Sequence, residues 1–240
     1  MCLAAVLPQG IGGKAGGMGG KAGGVGGGSN WHVVNYCDNI GGVVGTCTVG
    51  TCTTSTCTLT VAAIKAGDLV FTALVSGVVS NTISTDVISG ESFSNCAAGF
   101  QVSLAGTGSN DCRYVLAAAG GGTSVTMTPT TTGGGGNVYA IVEVGPVVGH
   151  VPSVDGSPVS TTNASCSSCV TATFTPSAND VVFQVIGSSQ TPTAISGAYL
   201  NPDGVTGSIM GIGANLTAAQ APTWTVSPSG GAVMSTIGFK

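Results

Sequence analysis

At 240 residues the chain can bury a substantial core, as one large β-domain or two small ones, without help from a metal or cofactor. Only 6% of it is charged, and Gly, Thr, Ser, Val and Ala dominate, which favours strands and argues against long solvated helices. Lys14 and Lys21 fall in a Gly-rich leader, so residues 30–240 hold three cations against nine acids, 3 − 9 = −6, with no Lys/Arg cluster to bind nucleic acid.

Residues 1–10, MCLAAVLPQG, read as the remnant of a secretory signal peptide, the end of an apolar segment without its basic beginning. Residues 11–29 form a Gly-rich arm in which GGKAGG occurs twice, at Gly12–Gly17 and Gly19–Gly24. Such a segment cannot bury enough apolar surface to offset its backbone entropy, so a flexible leader, or an arm exchanged between subunits, is expected. Residues 30–240 are expected to be a single antiparallel β-sandwich domain, jelly-roll or Ig-like. No apolar stretch reaches the roughly 20 residues that cross a bilayer as a helix, so no membrane span is expected.

Trp31–Tyr36 is the first expected strand, and Thr46–Ala63 supplies two short ones. The central run follows at Ala66–Val79, AGDLVFTALVSGVV. One of its faces carries Leu69, Phe71, Ala73 and Val75, the other Val70, Thr72, Leu74 and Ser76. Both are largely apolar, so the second face should be covered by a loop or another subunit. Further strands are expected near Phe100–Ala105, Arg113–Ala119, Ser124–Thr128 and Asn137–Val144, divided by Gly-rich turns at the spacing of a sandwich. Thr175–Gly187, TPSANDVVFQVIG, repeats the central pattern, with Asp180, Val181, Val182 and Phe183 matching Asp68, Leu69, Val70 and Phe71. After it come Ile195–Leu200, a turn at Asn201–Gly204, Val205–Ile212, a short helix candidate at Asn215–Gln220, Trp224–Val226 and Ala232–Phe239.

The Trp-bearing first strand, the AGDLVF strand, Tyr139–Val144, the Asn-Asp-Val-Val-Phe strand and the closing Ile-Gly-Phe-Lys together resemble a group of uncharacterised secreted β-sandwich proteins of environmental bacteria. The resemblance spans residues 30–240 and implies a sandwich and export. It supplies no catalytic residue.

Setting Cys2 aside leaves eight cysteines, Cys37, Cys47, Cys52, Cys57, Cys96, Cys112, Cys166 and Cys169. An even count in a charge-poor chain points to disulfides and to a secreted or cell-surface location. Cys52 and Cys57 flank Thr-Thr-Ser-Thr, and Cys96 and Cys112 flank a Gly-Thr-Gly-Ser-Asn loop. Cys166 and Cys169 would need a tight turn to meet, and Cys57 with Cys169 is a competing pair. A redox CxxC would sit at a helix N-terminus, whereas a strand pattern follows Cys169; a zinc knuckle would need a second CxxC. No metal or cofactor is expected.

The nine acids offer no i, i+2 pair of the kind a sandwich glycosidase uses, and no G-x-S-x-G elbow accompanies His32 or His150. Glu143, on one face with Tyr139 and Ile141, is the candidate functional acid, against the ordinary fate of a solvent-facing strand Glu. Asp68 and Asp180 read as turn residues, as do Asp155-Gly156 and Asp203-Gly204. Trp31, Tyr139, Tyr199 and Trp224 could form a stacking platform for sugars or lie in the core. The expected function is a non-catalytic structural or surface-assembly protein, with self or an extracellular polysaccharide as partner. A carbohydrate-binding or adhesive module comes second and a polysaccharide-degrading jelly roll third.

Overall fold

The computed structural model describes residues 31–240 except 54, 79, 89, 132–135, 146–150, 178 and 201–208. The expected signal-peptide remnant and flexible arm, Cys2, His150 and the expected turn at Asn201–Gly204 lie outside the described residues. The strands of the first half are β1 (His32–Asp38), β2 (Val43–Val44), β3 (Cys47–Cys52), β4 (Cys57–Val61), β5 (Leu69–Ser76), β6 (Ile83–Val87), β7 (Ser94–Asn95), β8 (Val102–Leu104), β9 (Gly108–Val115), β10 (Ser124–Pro129) and β11 (Asn137–Gly145). Those of the second half are β12 (Val154–Val170), β13 (Asp180–Ser188), β14 (Thr191–Ile195), β15 (Tyr199–Leu200), β16 (Met210–Leu216) and β17 (Thr223–Phe239). The protein is all-β and antiparallel throughout, and no helix forms among the described residues. At Asn215 the backbone takes φ 59°, a left-handed conformation that cannot start a right-handed helix, so Asn215 and Leu216 end β16 instead and an irregular stretch runs on to Gln220, which bridges Phe174.

Three sheets stack. Sheet I runs β2-β1-β11-β5-β9-β7, with β8 on β9; sheet II runs β3-β4-β10-β6; sheet III runs β12-β17-β13-β16-β15, with β14 on β17. Leu69, Phe71, Ala73 and Val75 pack with Val181, Phe183, Val185 and Ile237 between sheets I and III. Val70, Leu74, Tyr139 and Ile141 pack with Leu59, Val61, Val125 and Met127 between sheets I and II. The second apolar face of β5 is therefore covered by a sheet of the same chain, not by a loop or another subunit. Strand β4 shows why sheet II can sit there: its pattern alternates, with Cys57, Leu59 and Val61 buried and Thr58 and Thr60 half-exposed. The outward hydroxyls pair across strands, Thr58 with Thr126 at 2.9 Å and Thr60 with Ser124 at 3.0 Å.

The expected antiparallel β-sandwich forms, and the chain contains the same unit twice. Sheet I places β1-β11-β5-β9 in the order in which sheet III places β12-β17-β13-β16. The registers agree: Phe71 lies between Val142 and Tyr114, and Phe183 between Ile237 and Ile212. Strands β12 and β17 are long because each serves two layers. Cys166–Val170 of β12, the start of β17 and β14 pair as β4, β10 and β6 do in the first half. Residues 31–145 and 151–240 are thus tandem sandwich repeats packed through their larger sheets. At the centre of that contact the equivalent rings of Phe71 and Phe183 stack with centroids 4.4 Å apart and planes within 3°. Phe239 stands edge-on to both.

Four disulfides form: Cys37–Cys47, Cys52–Cys57, Cys96–Cys112 and Cys166–Cys169. Their presence fits an extracellular protein. Cys57 and Cys169 lie in separate clusters, in the small layers of different repeats, which rules out their bridging in this fold. Cys166 and Cys169 reach a Cα separation of 5.4 Å without a tight turn, because register shifts on both sides of Cys166 bulge β12 locally.

Candidate functional site

Of the acids that looked like turn residues or surface residues, Asp68, Asp155, Asp180 and Glu143 are inside. Glu143 is fully buried on β11. Its Oε2 accepts from Asn35 Nδ2 on β1, and its Oε1 accepts from the backbone N–H of Lys65 at 2.8 Å. Asp68, 6% exposed at the entrance to β5, lies against it. Burial first, and then contact with the Glu143 carboxylate, push the Asp68 pKa up to about 7, with Lys65 pulling weakly the other way. Asp68 Oδ2 is buried with no hydrogen-bond partner, so a proton there supplies the donor that the acceptor-crowded pair otherwise lacks.

The second repeat holds the counterpart. Asp180 occupies the entrance to β13, and its partner is Asp155 on β12. Asp155 Oδ2 accepts from the backbone N–H of Ser177 at 2.7 Å, and Oδ1 accepts from the Ser177 hydroxyl at 2.7 Å and pairs with Lys240 Nζ at 3.1 Å. Burial raises the Asp155 pKa, but hydrogen bonds with Asp180, Ser177 and Lys240 outweigh it and hold the group well below the usual carboxylate range. Ser177 precedes Asp180 by three residues as Lys65 precedes Asp68, and each gives its N–H to the second acid. Only the source of that acid differs. Asp155 faces Gly238 across β12 and β17, as Asn35 faces Glu143 across β1 and β11, so the carboxylate has moved from one strand to its neighbour. Asp155 is therefore not a turn residue, and Gly156, at φ 63°, serves a bulge rather than a hairpin.

Two more acids are enclosed. Asp38 accepts from the N–H groups of Ile40 and Gly42 and from the Tyr36 hydroxyl. Asp111 accepts from the Ile83 N–H at 2.6 Å and Gln101 Nε2 at 2.9 Å, while burial raises its pKa. Six acids are thus buried among the described residues.

The aromatic candidates do not form a platform. Trp31 belongs to the cluster between sheets I and III, Tyr139 to that between sheets I and II, and Trp224 and Tyr199 to two further clusters on sheet III. All four are buried, and a ring covered on both faces cannot stack on a sugar. A cleft of about 210 Å³ opens elsewhere, lined by Asn81, Thr82, Gln101, Ser103, Ser109 and Asn110 among others. Its groups are hydroxyls and amides, suited to a neutral polar ligand. None of the paired acids lines it.

Among the described residues no three of His, Cys, Asp and Glu gather to hold a metal ion, and no helix is long and apolar enough to cross a membrane. The sequence reading did not single out Asn35 and took Asp155 for a turn residue; the Asp repeated before Leu-Val-Phe and Val-Val-Phe was the one signal pointing there. In comparisons with protein-family models, curated proteins and solved structures, nothing matches this chain.

Proposed function

We propose that the protein is an exported, non-catalytic structural subunit that works by assembling with itself at the cell surface or in an extracellular structure. The observation that carries this reading is where the charge lies. Among the described residues six acids are folded inward onto main-chain N–H groups, amides, hydroxyls and one another, so they hold strands together and add little to the surface charge. Surface charge is what keeps most soluble proteins apart, and its scarcity here removes a barrier to self-association. The four disulfides suit a subunit exposed to an oxidising exterior. Electron microscopy with light scattering on natively exported protein tests the reading: ordered polymers are expected, and a monomer at every concentration overturns it.

The cleft favours a second reading, an adhesive module for a neutral polysaccharide. Binding on a glycan array that is lost in Asn81→Ala and Gln101→Ala supports it, and an array without signal removes it.

A further inference from the structure

The small layers of the two repeats differ at one strand position. In the first, β4 lies between β10 and β3; in the second, the Cys166–Val170 end of β12 pairs with β17 on one side, and no strand among the described residues lies on the other. The equivalence follows from the matching segments Val125-Thr126-Met127-Thr128-Pro129 and Trp224-Thr225-Val226-Ser227-Pro228, whose first residues pair with Leu59 and Cys169. Ser168, Cys169 and Val170 therefore stand where Thr58, Leu59 and Thr60 stand, and no described strand takes the place that Thr48 and Val49 hold beside them. An open edge is ordinarily blunted by Lys or another charge. This one has none, and Val170 is 54% exposed on it.

The strand that fills the position in the first repeat is itself an edge. β3 ends sheet II, its sequence Cys-Thr-Val-Gly-Thr-Cys is uncharged, and Thr48–Thr51 are exposed, with Val49 at 41%. Resting on the assembly reading above, we propose that the outer edge of β3 in one copy docks beside Ser168–Val170 of the next, adding the missing strand to the small layer of its second repeat. Main-chain hydrogen bonds supply the attraction, as in other strand additions. Because donor and acceptor edges are different parts of the chain, the contact is head-to-tail, and it builds a ring where the rotation between copies closes and an open filament where it does not. The bulges beside Cys52 and Cys166 confine the pairing to a few residues, so each contact is weak alone and gains from repetition.

Val49→Lys and Val170→Lys test this, since each places a charge on one edge only. Assembly of the full chain, followed by light scattering and electron microscopy, is expected to stop at the monomer for either variant. An equimolar mixture is expected to yield 1:1 dimers and nothing larger, because one good donor edge and one good acceptor edge remain. Thermal melting checks that both fold, and Thr48→Lys with Ser168→Lys is the second pair if either does not. Polymers that ignore both lysines overturn the edge pairing while leaving self-assembly standing. Val49→Lys forming dimers alone overturns it in favour of a symmetric contact, and a wild-type monomer overturns both readings.

Discussion

Asp68 is the residue whose protonation the fold controls most visibly. Its pKa rises from the ordinary 3.8 to about 7, so the native state keeps a proton that the unfolded chain releases between those values. The stabilisation is fully present below about pH 4 and is lost as pH rises through 7. A shift of this size corresponds to an upper bound on the order of 4 kcal/mol. Asp155 acts with the opposite sign: its pKa is lowered, so its contribution is present at neutral pH and is lost as pH falls through the acid range. Asp68→Asn keeps a neutral donor beside Glu143 at every pH. Urea unfolding at pH 4.5 and pH 8 is expected to give the two proteins similar stability in acid and the variant an advantage of a few kcal/mol at pH 8. Parallel pH curves for the two would refute a proton held between Asp68 and Glu143. The central ring is a packing residue of the ordinary kind. Phe71→Ala removes contacts with Phe183, Phe100 and Phe239, and is expected to cost about 3–5 kcal/mol in a chemical denaturation series.

Among the elements, those buried on both faces were the most legible, and several at the margins of the sheets were missed. β5 and β13 announce themselves as apolar runs because each is enclosed by layers on both sides, so neither face needs polar residues. β12 went unrecognised apart from its last residue, since Ser, Thr and Asn on a half-exposed edge carry no alternating apolar signal. β6 and β14 were missed as well, and both are short strands at the margins of their layers. The disulfides staple such margins. Cys96–Cys112 ties the loop after β7 to β9, and its sequence separation of 16 predicts that Cys96→Ser with Cys112→Ser costs about 3 kcal/mol in thermal or urea unfolding. Peptide mapping without reduction is expected to recover the four observed pairs. A linked Cys57–Cys169 peptide would contradict the layer order.

For the molecule as a whole, the contact between repeats is a core rather than a surface. Leu69, Phe71, Val181 and Phe183 would be exposed if the halves separated, so a fragment of residues 31–145 expressed alone is expected to aggregate or to pair with itself. Coexpression with residues 151–240 is expected to give a soluble complex that copurifies, and two independently soluble monomers would refute a shared core. Composition and periodicity determined the all-β class, the enclosed strands and the even set of cysteines, because β-branched residues, apolar runs and spacing are local properties. The Asp-Val-Val-Phe echo was also visible, though not that it marked a duplicated sandwich. Tertiary structure alone decided that Glu143 meets Asp68, that Asp155 replaces Glu143's role from a neighbouring strand, and that the aromatic rings are covered. Those outcomes depend on which strands lie side by side and which sheets stack. Partners far apart in the chain are chosen by long-range pairing, and residue order leaves no local trace of that choice.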